Sequence, residues 1–500
     1  MVSKLAPTPR DDGSRPAVAT GRPGEGRGGG GSGLIGLAQV LEGTAGRLQG
    51  SAPGDLAFRR VWHDSRQVGP GDLFVALKGE SLDGHDFVAQ AFANGASAAL
   101  VDRAHRDALA PLGRPLIVVR DTLAALHDLA TYWRGLYSPT VIGITGSIGK
   151  SSTKEVVAAV AARRYRTVRN RGSFNNEVGL PLTLLDIRPD TEVAVLEMGG
   201  AYAFGEIAEL CVMARPRIGI VTNVSHSHLS RMGSLEAIAR TKVELPAALP
   251  EEGVAILNGD DPRVRAMAQA CRGRVVFYGL SDDCDVRALD VQGHGLNGIS
   301  FRLVLDGRVE HVKLPLLGRH SVHTALAGIA AGSVLGLTID EILPGFDDPA
   351  IQLRLYTLPG VGGALVIDDS YNANPTSSLA ALNLLEELDA KRRVGVLADM
   401  LELGDYEAEA HRLVGERAAV VLDELLTYGE RARMLARAAV AGGLPAAHVR
   451  SFDGKPALVD ALREMLRPGD VVLVKGSRGM KMETVVEAIR ARNRQGRGQS

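Results

Sequence analysis

Aromatic residues make up only 4% of the 500-residue chain, too few for the rows of rings on which nucleic-acid bases stack. A charge bias is lacking too. Lys and Arg number 57 against 58 for Asp and Glu, which removes the electrostatic ground for a nucleic-acid or membrane-surface partner. Cysteine is nearly absent. Cys211, Cys271 and Cys284 share no ligand-like spacing, which excludes a disulfide framework or a zinc cluster and fits a reducing cytosol. No apolar run reaches the roughly 20 residues that cross a bilayer, and the N-terminus lacks the apolar centre of a secretion signal. A cytoplasmic protein without a membrane span is expected.

The chain does have an ordinary globular composition, 45% hydrophobic and 23% charged, and a length that implies several domains. Residues 1–33 are rich in Gly, Pro and Arg and cannot bury enough apolar surface to offset their ordering entropy, so a disordered extension is predicted. A flexible tail is predicted over 494–500. Between them, short apolar runs alternate with helical stretches. The fold class expected is α/β in three domains. A small α/β N-terminal domain covers 34–138. A central P-loop-type domain, a mostly parallel sheet flanked by helices, covers 139–349. A Rossmann-like open α/β domain covers 350–493. Predicted strands include 73–77, 141–145, 193–196, 218–222, 364–367, 394–397 and 471–474, each apolar along its length. A helix is expected to open near Thr153.

The sharpest local signal is Thr145-Gly-Ser-Ile-Gly-Lys-Ser-Ser152, between a predicted strand and a predicted helix. Gly146 and Gly149 let backbone N–H groups approach phosphate oxygens, and the helix N-terminus adds partial positive charge. Lys150 can reach terminal phosphates, and the Ser151 hydroxyl can bind magnesium. The strict P-loop pattern asks for Gly where Ile144 stands. Glu197 ends an apolar strand, at the rim where open α/β sheets hold ligands, and can bind magnesium there. The strand after it ends in Thr222-Asn-Val-Ser-His-Ser-His228, which offers His228 as a further metal ligand. Read alone, Lys242 is a solvated helix cation.

These blocks together resemble the Mur ligases over about 64–481. Asp64-Ser-Arg66 and Gly79-Glu-Ser-Leu-Asp-Gly-His85 resemble the family's precursor-binding region, which makes Ser65 and Arg66 candidates for the uridine diphosphate end. Ser173-Phe-Asn-Asn-Glu-Val-Gly-Leu-Pro181 resembles its paired-Asn block, which assigns Asn175 and Asn176 to precursor. Glu197 and His228 fall on the family's magnesium ligands, Lys242 on a lysine carried as a carbamate, and Arg354 on an arginine near the ATP phosphates. Asp368-Asp-Ser-Tyr-Asn-Ala-Asn-Pro375 and Lys475-Gly-Ser-Arg-Gly-Met-Lys481 resemble the dipeptide-adding branch. Asp369 is then a candidate for the nucleotide ribose, and Asn372, Asn374, Lys475 and Arg478 for substrate. The family's Gly-x-His-Asn-x-x-Asn signature reads Gly318-Arg-His-Ser-Val-His-Thr324 here. His320 and Thr324 are its nucleotide candidates, although a hydroxyl cannot match the paired donor and acceptor of an Asn amide.

The resemblance implies an ADP-forming ligase of peptidoglycan synthesis. Its substrates would be ATP, UDP-N-acetylmuramoyl-tripeptide and D-alanyl-D-alanine, and its cofactor two magnesium ions. A monomer is expected. Three other readings remain open. One is another Mur-type or folylpolyglutamate-type amino-acid ligase. The second is a P-loop NTPase switch. The third is a binding protein without catalysis.

Overall fold

The computed structural model describes residues 34–79, 81–200, 203–226, 229–352 and 356–491. Both terminal segments, 1–33 and 494–500, lie outside these residues.

The central sheet has nine strands. Thr140–Thr145 lies inside it, flanked by Val193–Glu197 and Ile218–Val221, both parallel to it. Thr167–Arg169 closes one edge beyond Val193–Glu197. Every residue of Val193–Glu197 is buried, which is why the run is apolar on both faces and no alternation shows. The register sets the strand ends level. Glu197 pairs with Ile144, and Val221 with Thr145. The three strands therefore open on one rim, the crevice where such sheets bind ligands.

Helix Lys150–Ala161 packs on one face, with Val156, Val157 and Val160 fully buried. Helix Val322–Val334 lies against it, its Gly328 so close to Val156 that a Cβ would stand 2.4 Å from a Val156 methyl. The opposite face shares one core with the N-terminal sheet through helix Thr122–Leu136. Trp133 on that helix is fully buried, and its indole N–H donates to the Ile187 carbonyl at 2.9 Å.

The far side of the central sheet departs from the expected pattern. Beyond Arg274–Gly279 run Val286–Gly293, Ile299–Leu305 and Arg308–Leu314, the last two antiparallel to their neighbours. Burial alternates along Val286–Gly293 and in the second half of Arg308–Leu314, and only the middle strand opens with a buried run, Ile299 to Phe301. A half-buried meander needs no covering helix on its wet face. Its hairpin turns at Asp306 and Gly307, both at positive φ (50° and 73°), which is the Asp-Gly turn chemistry of tight hairpins.

The N-terminal sheet has five strands, Leu73–Val75 and Ala98–Asp102 among them, parallel except where Arg47–Gln49 joins Leu116–Val119. The six-stranded C-terminal sheet is parallel except for its edge strand Tyr356–Pro359. Inside it, Leu365–Asp369 lies beside Asp470–Lys475 with Asp369 paired to Lys475. Among the described residues no helix is long and apolar enough to cross a membrane.

Candidate active site

The phosphate-type loop leaves Thr145 through Gly146 at φ 139°, where a Cβ would stand 2.0 Å from the Thr222 hydroxyl. Gly149 at φ 81° is the N-cap of helix Lys150–Ala161. The helix begins three residues before Thr153 because this left-handed glycine completes the turn. The N–H groups of its first turn therefore face the loop mouth without intrahelical partners.

The exit of the neighbouring strand clasps the loop. Thr222 Oγ1 donates to the Ile148 carbonyl at 2.7 Å. The Asn223 amide accepts from Ile148 N–H at 3.0 Å and donates back to its carbonyl at 3.0 Å. Ser147 Oγ accepts from Ser225 N–H at 3.0 Å. Sequence reasoning read this segment only as the approach to His228. Its polar residues are what hold the loop open. Lys150 lies back on that loop, its Nζ donating to the carbonyls of Gly146 (2.8 Å) and Ser147 (3.1 Å).

Glu197 is buried at 2% exposure. Ser151 Oγ donates to its Oε2 at 2.5 Å, and Asn175 Nδ2 donates to its Oε1 at 2.7 Å. Asn176 caps locally, accepting from Gly179 N–H at 3.0 Å. Lys242 is buried, not the solvated cation that its local sequence suggests, and its Nζ donates to the Gly200 carbonyl at 2.5 Å. Burial, with the charge of Lys150 second, lowers its ammonium to about 7.

The C-terminal sheet faces this rim. Lys475, 2% exposed, donates to Asp369 Oδ2 at 2.6 Å and to the Asn372 carbonyl at 2.9 Å. Asn374 caps helix Pro375–Glu387 by accepting from Ser377 N–H at 2.9 Å. Arg478 lies over the Tyr371 ring at 4.9 Å. The two sheets touch where the Tyr371 hydroxyl meets Ser173 Oγ at 2.5 Å and where His226 stacks on Tyr406 at 4.1 Å. From the N-terminal sheet, Ser65 Oγ donates to Gln90 at 3.0 Å, and Arg66 forks onto Asp64 at 2.9 and 2.7 Å. That fork holds the Asp64 carboxyl down to about 2.

One cleft of 2420 Å³ gathers these groups from all three sheets. Ser65, Arg66, the loop 146–152, Asn175, Asn176, Glu197, Lys242, Asp369, Asn372, Asn374, Lys475 and Arg478 all line it. Thr145 does not, being fully buried beneath the loop. His320 and Thr324 do not line it either. They sit in the turn Arg319–Ser321 and the first turn of helix Val322–Val334. His228 and Arg354 lie outside the described residues.

Residues 58–134 match the Mur ligase family catalytic domain, 144–332 the Mur ligase middle domain, and 353–478 the Mur ligase glutamate ligase domain. The UDP-N-acetylmuramoyl-tripeptide--D-alanyl-D-alanine ligase of Bacillus subtilis is 36% identical over 459 residues, covering 91% of this chain and 97% of its own. The chain belongs to the Mur ligase family. The Escherichia coli ligase of the same name is 36% identical, again covering 91% of this chain and 98% of its own. Among solved structures, MurF from Acinetobacter baumannii superposes with a TM-score of 0.79 at 31% identity, covering 91% of this chain and 98% of its own. MurF from Thermotoga maritima in complex with ADP gives 0.71 at 29% identity over 86% of this chain and 96% of its own. This Mur ligase thus has the three-domain α/β fold of its relatives.

The donors beside the loop suit magnesium in this Mur ligase. Ser151 and Glu197 offer hard oxygen atoms already converging on one another, and among the described residues no sulfur donor lines the cleft except the thioethers of Met213 and Met232. A second cation-sized cluster, Asp83, His85 and His105, lies in the N-terminal domain. There the Asp102 N–H donates to His85 Nε2 at 3.1 Å. His85 must therefore carry its proton on Nδ1, which faces Asp83 at 2.6 Å. The ring is fully used in the protein's own hydrogen bonds.

Proposed function

We propose that this Mur ligase joins D-alanyl-D-alanine to UDP-N-acetylmuramoyl-tripeptide in the cytoplasm, as a monomer, converting ATP to ADP and phosphate. The observation that carries the reading is the single cleft onto which the phosphate loop, the paired asparagines and the Asp369–Lys475 block all open. The working divisions are 34–138 for the precursor, 139–349 for ATP and 350–493 for the dipeptide.

A carboxylate is a poor electrophile, so amide formation needs activation. The terminal carboxylate of the tripeptide attacks the γ-phosphorus of ATP, forming an acyl phosphate and releasing ADP. The neutral amine of the dipeptide then attacks the acyl carbon. Phosphate leaves, and the amine's proton ends on it. The loop N–H groups of 146–152 hold the triphosphate, and Lys150 leaves the loop carbonyls to meet it. Arg354 and His320 with Thr324 are assigned to the nucleotide by family resemblance, as is Asp369. Ser65 and Arg66 take the diphosphate end, Asn175 and Asn176 the precursor, and Asn372, Asn374, Lys475 and Arg478 the dipeptide side.

Magnesium held by Ser151, Glu197, His228 and a carbamate on Lys242 would neutralise the phosphate charge that otherwise repels the attacking carboxylate. The carbamate is supported by the burial of Lys242, which disfavours a bare ammonium there. Closure of the sheets on each other excludes water from the acyl phosphate.

The test is phosphate release with ATP, precursor and dipeptide, omitting each in turn. Release that needs all three is expected. Release from ATP alone would favour an NTPase switch, and equal turnover with single amino acids would favour another amino-acid ligase.

A further inference from the structure

We infer that Asn170, seconded by Lys154, is a positioning residue that sets the backbone of Glu197 and with it the magnesium affinity of the loop. The inference rests on the proposed role of Glu197.

The parallel ladder between Thr167–Arg169 and Val193–Glu197 ends where Arg169 pairs with Val195. Past that point the edge backbone turns away, and Glu197 would face an empty lane on that side. The side chain of Asn170 fills it. Its Oδ1 accepts from Glu197 N–H at 2.6 Å, and its Nδ2 donates to the Glu197 carbonyl at 3.2 Å. A side-chain amide thus does what the neighbouring strand's peptide group would have done, pinning both backbone groups of the residue whose carboxylate meets Ser151. Nδ2 also donates to the Phe174 carbonyl at 2.6 Å. Both amide hydrogens and the amide oxygen are spent inside the protein, at 1% exposure. Asn170 therefore acts through Glu197 and does not touch substrate.

Lys154 closes the circuit. It is 0% exposed, and its Nζ donates to the carbonyls of Asn170 and Gly172, each at 2.9 Å. Its charge is met by Glu155 at 2.8 Å, which also holds Arg169 at 2.6 Å. Lys154 stands one helical turn after Ser151 on the same helix. Ser151, its helix, Lys154, Asn170 and Glu197 form a closed ring of covalent and hydrogen-bonded links. The ring fixes the separation of two oxygen donors independently of any ligand. Partners that orient a ligating side chain affect metal affinity by about 10–100-fold.

The measurement is ADP binding by calorimetry with and without magnesium, on the full chain, for wild type, Asn170→Ala and Asn170→Thr. For Asn170→Ala the gain in ADP affinity on adding magnesium is expected to shrink about 10–100-fold, with magnesium-free ADP affinity unchanged. Asn170→Thr, which keeps one hydrogen-bonding group, should fall between. Turnover of both variants should recover as magnesium is raised. Equal weakening of ADP binding with and without magnesium, or an unaltered magnesium gain, would overturn the inference. Asn170→Thr decides the matter should the alanine variant not fold. No precursor or dipeptide is present, so a failed ligation reading leaves the measurement intact. A wild type whose ADP affinity ignores magnesium would instead sink the role of Glu197, and this inference with it.

Discussion

Ser151 Oγ lies 2.5 Å from Glu197 Oε2, so the first turn of the loop helix and the end of the adjacent strand meet through one hydrogen bond. Ser151→Ala removes the hydroxyl proposed above as a metal donor and leaves that carboxylate oxygen without its hydrogen bond. Turnover at limiting magnesium is expected to drop about 10–100-fold, while Ser151→Thr, which keeps the hydroxyl, stays near wild type. Phosphate release across a magnesium titration checks it, and equal rates for the alanine variant and wild type would refute it.

The contact of the Tyr371 hydroxyl with Ser173 Oγ bridges the central and C-terminal sheets beside the cleft. Tyr371→Phe keeps the ring under Arg478 and removes the hydroxyl that makes that bond. One exposed hydrogen bond is worth about 1 kcal/mol, so a change of about fivefold in KM for the dipeptide is expected, with the melting temperature unchanged. Identical dipeptide KM values in the two proteins would remove the contact from domain positioning.

Asp369 and Lys475 form an ion pair whose members differ in burial, with side chains 20% and 2% exposed. Asp369→Asn leaves a cation enclosed with a neutral partner. Lys475→Met leaves a carboxylate that water can still reach. Breaking a buried pair costs about 3–5 kcal/mol when the charge left behind is enclosed. Denaturant titration should therefore show Asp369→Asn as the less stable variant, and the reverse order would contradict this burial argument.

Burial pushes the Cys211 thiol up to about 12, with the charge of Glu244 adding to it, and pushes Cys284 up to about 11. The reactive form is the thiolate, so alkylation is lost as pH falls below these values. At pH 8 roughly one Cys211 in 10,000 is ionised. Iodoacetamide at pH 8 should label Cys271 first and Cys211 only after denaturation. Peptide mass mapping reads the order, and labelling of native Cys211 at the denatured rate would show that the thiol is not enclosed.

Much of the fold was legible because parallel strands buried on both faces leave continuous apolar runs, as at 141–145 and 193–196. The meander 286–314 was not, because half-buried strands alternate and their apolar residues are spaced out. Its Asp306-Gly307 turn was the available signal. The phosphate loop was legible from its glycines. Its clasp by Thr222, Asn223 and Ser225 was not, because those residues lie some 75 positions away and meet the loop only through the parallel register. Asn170 gave no signal either. An asparagine near a strand end reads as a turn residue until the lane it fills can be seen.

The order of residues along the chain determined the chemical inventory: a glycine loop with Lys150 and Ser151, a carboxylate closing an apolar strand, and the blocks shared with the Mur ligases. Tertiary structure decided which members of that inventory meet. It drew Lys242 out of solvent, placed the helix cap Asn374 on the wall of the cleft, and set Glu197 against Ser151. Local sequence carries propensity and donor type, whereas distance between remote residues is set by strand register and packing, which no short stretch of chain contains.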